Sequence, residues 1–113
     1  MASPRNAAAM AWEAWRAMLS LAGWRIIIRA KKSPGAAAEA TYTVLNKNCR
    51  RVALSSPGTA YGDILVDVNA TADADSFPVP LNAHLVVDAG KDDIVHVFNT
   101  TAGGLDVIFL ELE

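Results

Sequence analysis

The side chains with the chemistry to hold a metal ion are His84, His96, Asp63 and Asp67. A zinc site asks for three or four convergent nitrogen, sulfur or carboxylate ligands at short, regular spacings. His84 opens one apolar run, and His96 stands inside another with Ile94 and Phe98 two residues to either side. That pattern reads as two hydrogen-bonded histidines of a sheet, and no metal is expected. The stretch Asp67-Val68-Asn69-Ala70-Thr71-Ala72-Asp73-Ala74-Asp75 places oxygen-bearing residues at alternate positions, as a calcium loop does. Ala72, however, stands where such a loop needs glycine for its sharp turn, and Pro78 where the bidentate glutamate belongs. It reads as a solvated acidic loop.

Nucleophilic chemistry has little to build on. Ser55 and Ser56 precede Pro57-Gly58 without the Gly-x-Ser-x-Gly elbow that exposes a catalytic serine. Cys49, the single cysteine, has no disulfide partner in its own chain; Arg50 and Arg51 beside it are a setting that can lower a thiol pKa, but a lone cysteine beside arginines reads as structural or incidental. Neither glycine-rich phosphate-binding motif is present. No enzymatic activity and no cofactor are expected. The two glycosylation sequons, at Asn69 and Asn99, have meaning only in a secreted eukaryotic protein.

The basic residues raise a different chemistry. Arg25, Arg29, Lys31, Lys32, Lys47, Arg50 and Arg51, with Trp24 and Tyr42 among them, have the composition of a strand face on which single-stranded bases stack. A net charge of -2 and a pI near 5.6 weigh against nucleic acid, whose binding domains are clearly basic. The charge is unevenly spread. Residues 1–51 hold nine of the ten basic residues and two acids, whereas residues 52–113 hold one lysine and ten acids. If the halves occupy different regions, the molecule is polar end to end and meets a negative surface or the acidic end of another copy. If they interleave in one sheet, they neutralise each other.

The elements that must position these residues are legible from punctuation and period. Ser3 as N-cap, Pro4 at the first helical position, six alanines between Ala7 and Ala17, and Gly23 as C-cap predict a helix over residues 3–22. Trp12, Trp15, Leu19 and Ala22 form its apolar stripe, with Glu13, Arg16 and Ser20 on a neighbouring face. The stripe must be covered by the protein's own sheet or by a neighbouring protein. After Gly23 the period becomes two. Strands are predicted at Trp24–Arg29, Glu39–Asn46, Arg51–Leu54, Asp63–Val68, His84–Asp88, Asp93–Phe98 and Leu105–Leu112, with Phe77-Pro78-Val79-Pro80 as an edge or loop. In the last strand Ile108, Leu110 and Leu112 share one face and Leu105, Val107 and Phe109 the other, so it is central or lies against a partner.

With 113 residues, of which 21 are alanine, the chain supplies one modest core. The expected architecture is mainly β: an N-terminal amphipathic helix or arm over residues 1–23, then an antiparallel β-sandwich or jelly-roll-like barrel of six to eight strands over residues 24–113. No apolar run approaches the ~18 residues of a membrane span, and Glu13 and Arg16 interrupt any signal-peptide core. A soluble protein made without oxidative folding is expected.

Three segments carry a resemblance: Phe77-Pro78-Val79-Pro80-Leu81-Asn82, the run from Asp93 to Ala102, and Leu105-Asp106-Val107-Ile108-Phe109-Leu110-Glu111-Leu112. A proline-bearing lead-in, an apolar strand, an Asn/Thr/Ala/Gly hairpin and an apolar final strand resemble the terminal strands of small virion proteins of tailed bacteriophages. Head decoration or cement proteins and small tail or adaptor subunits are similar in style. The resemblance implies a non-enzymatic structural subunit of the virion, assembled in the host cytoplasm. Its partners would be the major capsid protein and copies of itself, with a trimer favoured because capsid lattices offer three-fold sites. The residues expected to meet a partner are Trp12, Trp15, Arg16, Leu19, Trp24, Arg50 and Arg51. A binding module for sugar or single-stranded nucleic acid is the competing reading.

Overall fold

Strands form where β-branched and aromatic residues recur between Gly, Pro and Asn turns. A computed structural model of the chain describes residues 23–56, 60–80 and 84–113. The strands are β1 (Ile26–Lys32), β2 (Glu39–Thr43), β3 (Arg51–Ser55), β4 (Ile64–Val68), β5 (Phe77–Pro78), β6 (Leu85–Asp88), β7 (Ile94–Asn99) and β8 (Val107–Leu112). The helix predicted over residues 3–22 lies outside the described residues, and so do Trp12, Trp15, Arg16 and Leu19.

The first four strands fold back on the last four. β1 pairs with β8, β2 with β7, β3 with β6 and β4 with β5, all antiparallel. Further pairing of β3 with β8 and of β4 with β7 closes two four-stranded sheets, in the order β1-β8-β3-β6 and β2-β7-β4-β5. This is the strand order of a jelly roll, the two-sheet form of the expected antiparallel sandwich. β1 runs beyond the predicted strand end at Arg29 through Lys31 and Lys32, because those residues pair with Ile108 and Val107 of β8. A bulge between Ile26 and Ile28 shifts the register where β1 begins. β5 is a two-residue edge strand, the place that tolerates Pro78.

Between the sheets lie Val52, Leu54, Val87, Val107 and Phe109 from the first and Tyr42, Ile64, Val66, Val95 and Val97 from the second, all buried. Tyr42 and Phe109 stack across the interface with ring centroids 5.0 Å apart. The period of two then points Ile108, Leu110 and Leu112 of β8 and Ala53 of β3 out of the other side of the first sheet. Trp24, Ile26 and Val86 border them.

Two buried polar side chains fasten the ends of the sandwich. Glu111 occupies a core-facing position of β8 and has no exposed surface. It accepts hydrogen bonds from the Tyr42 hydroxyl and from the backbone N–H groups of Leu45 (3.0 Å) and Asn46 (2.8 Å), so the second sheet and the turn after it are tied to the first. At the opposite end buried Asn99 donates to the carbonyls of Gly35 (3.0 Å) and Gly103 (2.7 Å) and accepts from the Thr101 N–H (2.9 Å) and hydroxyl (2.7 Å). The β1–β2 and β7–β8 loops are thereby pinned together, and the Asn99 sequon is consumed as structure.

Glu111→Leu removes the acceptor for two backbone donors that have been withdrawn from water. It is expected to cost more than Tyr42→Phe, which deletes one charge-assisted bond worth about 1.5–3 kcal/mol. Urea titrations followed by circular dichroism would measure both, and equal losses would mean that the Tyr42 bond, rather than the turn, carries the contribution of Glu111.

Candidate functional site

β1 and β3 flank β8, and the turns into them bring the sequence-predicted residues Trp24, Arg50 and Arg51 to one end of the first sheet. There they line an open surface cleft with Gly23, Asp88 and Glu113. Arg51 is paired in register with both Leu112 of β8 and Asp88 of β6. Its guanidinium lies 4.7 Å from the Trp24 ring centroid, and its Nε is 3.0 Å from Asp88 Oδ1. Arg25 reaches Glu113 at 3.1 Å, and the backbones of the same two residues exchange hydrogen bonds of 3.2 and 2.9 Å. The cleft therefore gathers an aromatic ring, an arginine stacked on it and a carboxylate paired with that arginine.

This arrangement changes the meaning of the charge split. In the first sheet β1 and Arg51, the first residue of β3, come from the basic half and stand beside β8 and β6 of the acidic half. The ion pairs Arg25–Glu113, Lys31–Asp106 (3.9 Å) and Arg51–Asp88 each join one half to the other. The halves interleave. An end-to-end polar molecule is not what the described residues form, and the guanidinium of Arg51 faces a carboxylate where a phosphate would have to sit.

The candidate ligands are likewise absorbed by structure. His96, in the middle of β7, pairs through Nδ1 with Glu39 of β2 and stands opposite Thr41 and Asp67 in the ladder. Asp63 accepts from the Ala60 N–H (2.8 Å), and Asp73 accepts from the Asp75 N–H (2.9 Å), which folds the acidic loop onto its own backbone. Asp67 accepts from the Ser76 hydroxyl at 3.1 Å. Among the described residues no group of three or more His, Cys, Asp and Glu side chains converges to hold a metal. Ser56 donates to the Asp106 carbonyl at 2.6 Å.

Cys49 is buried, in keeping with a structural cysteine rather than an activated thiol. The thiol turns inward, away from the arginines that follow it, and contacts the carbonyls of Arg51 (3.3 Å) and Ala89 (3.4 Å). Burial pushes its pKa up, and the nearby Glu111 carboxylate adds to the rise. Glu111 itself is the buried group that the motif search missed. Its signal was available: it continues the core-facing series of Val107 and Phe109, where a carboxylate must find donors.

Comparison with family models, with curated proteins and with solved structures finds no match.

Two measurements follow from these environments. Cys49 is expected to react with a maleimide far more slowly in the native protein than in urea, with no acceleration near neutral pH; rapid native labelling would contradict its burial. Burial also lowers the pKa of His84 by disfavouring the imidazolium. The unfolded chain then binds the extra proton first, so stability falls as pH drops below about 6.5. Melting curves of the wild type and His84→Gln should diverge in that window, with the variant losing less; parallel curves would remove His84 as the cause.

Proposed function

We propose that this protein is a non-enzymatic structural subunit of a tailed-bacteriophage particle, a capsid decoration or cement protein that binds the major capsid protein and copies of itself. The observation that supports this most directly is the Trp24–Arg51–Asp88 cluster. Tryptophan and arginine dominate the binding energy of protein interfaces, chiefly where they are held in place before the partner arrives. Here the cation–π contact and the ion pair bring the two side chains together on an open surface. Exposed Leu45, Tyr61 and Phe77 add apolar contact area elsewhere on the sandwich. The jelly roll is one of the architectures of viral capsid domains, an analogy of fold that raises the prior without assigning a role. A tail or connector subunit would use the same surface chemistry, and in either case the protein would work in the virion after assembly in the host cytoplasm.

The competing reading, a single-strand binder, is tested by the same residues. Arg50→Ala plus Arg51→Ala would weaken an electrostatic, salt-sensitive affinity for an oligonucleotide. The expectation is instead no appreciable oligonucleotide binding at physiological salt, a trimer by light scattering of the full chain at micromolar concentration, and attachment to phage heads that is lost in Trp24→Ala plus Arg51→Ala. A monomer that binds no heads, or a salt-sensitive oligonucleotide affinity, would overturn the proposal.

A further inference from the structure

Sheet–sheet packing leaves one apolar surface of this molecule unaccounted for. Ile108, Leu110 and Leu112 form a row along β8 on the face of the first sheet that points away from the second, with Ala53 beside them on β3. Solvent reaches none of Ala53, Leu110 and Leu112, each 0% exposed, and only 9% of Ile108. Side chains on the outside of a two-layer sandwich reach such values only beneath a third layer of atoms. The second sheet lies on the other side, and Trp24, Ile26 and Val86 pack at the border of the row.

We propose that residues 1–22 are that third layer, with the Trp12, Trp15 and Leu19 stripe seated on the β8 row. The cover has to come from chain outside the described residues, which leaves residues 1–22, 57–59 and 81–83. The two three-residue connections are too short to roof a four-stranded sheet. The N-terminal segment has the length. As a helix, 22 residues span roughly 33 Å at ~1.5 Å per residue, against about 20 Å for the six residues of β8.

Continuity points the same way. The segment enters the sheet through Trp24 and Ile26, which already belong to the apolar cluster on this face. Gly23 joins them with a φ of 83°, the left-handed conformation that a residue just past a helix end adopts. The occupant is thus the protein's own N-terminus, and the stripe is not the surface offered to a partner. This inference is independent of the proposed virion role.

The test uses the full chain carrying Trp24→Phe, which leaves Trp12 and Trp15 as the reporters. Their emission should be blue-shifted and several-fold less quenched by acrylamide than in urea, unchanged on dilution across the range where light scattering reports the oligomer. Adding Ile108→Ser, at the end of the row, or Leu110→Ser, at its centre, should shift the emission to the red while a cooperative melt shows that the sandwich persists. The milder Ile108 variant decides the matter if the Leu110 variant does not fold. Emission as red as in urea would overturn the proposal, as would folded face variants with unchanged emission. A blue shift lost on dilution together with an oligomer would place a second copy on the face, which also overturns it.

Discussion

A carboxylate with no exposed surface holds the two sheets of this protein in register. Glu111 sits on the central strand of one sheet and receives the Tyr42 hydroxyl from the other, together with two backbone N–H groups from the turn that leads from β2 to β3. Burying a charge is costly unless its lone pairs are filled, and here hydrogen-bond donors fill them without any cation in the set. Each contact is specific to one arrangement. A slip of β8 by one residue would turn Glu111 to the outside and strand the N–H groups of Leu45 and Asn46. The same strand step places Phe109 against Tyr42, so the ring stack and the carboxylate share one register. Desolvation and the Glu111 carboxylate together raise the Tyr42 pKa far above the ordinary range, which keeps the hydroxyl a donor at any physiological pH.

The strand that carries Glu111 is also the one with two apolar faces. β8 pairs on both edges, with β1 and β3, and presents Val107 and Phe109 to the core and Ile108, Leu110 and Leu112 to the other side. Every one of these side chains is buried. A central strand of a two-layer sandwich normally alternates apolar with polar residues. The departure from alternation sets β8 apart from the other strands of the sandwich.

Much of this was legible in the sequence because the signals were local. Runs such as Asp63–Val68 and Asp93–Phe98, bounded by turn residues, became β4 and β7 within a residue or two. Phe77-Pro78-Val79-Pro80 read as an edge or a loop, and Phe77–Pro78 is the edge strand β5. The final strand's two apolar faces were visible from its alternation. What stayed hidden depended on pairing between distant segments. Lys31 and Lys32 look like a loop until β8 is laid beside them. Nothing local to Cys49 and its neighbouring arginines shows that the turn points its sulfur at Ala89, 40 residues away in sequence. Asn99 looks like a surface sequon until the β1–β2 loop closes over its amide. Trp24, Arg50 and Arg51 were singled out by type alone, and nothing local indicated that Asp88 would join them.

The charge distribution shows how topology can cancel a feature that composition makes prominent. In a jelly roll each strand of the first half pairs with a strand of the second half, because the chain doubles back once before it rolls into two sheets. Arg25, Lys31 and Arg51 of the basic half are thereby set beside Glu113, Asp106 and Asp88 of the acidic half. Exposed ion pairs of this kind contribute little stability singly, about 0–1 kcal/mol. Their larger effect is on which pairings are allowed. Like charges opposed across a ladder are unfavourable, so pairing the basic half with itself would set lysines and arginines against one another, whereas pairing across the halves gives Arg51 its Asp88 and Lys31 its Asp106. On this argument the asymmetry acts within the fold, as a preference for the long-range pairing of the jelly roll, and Arg51 is fixed on Trp24 as one consequence of it.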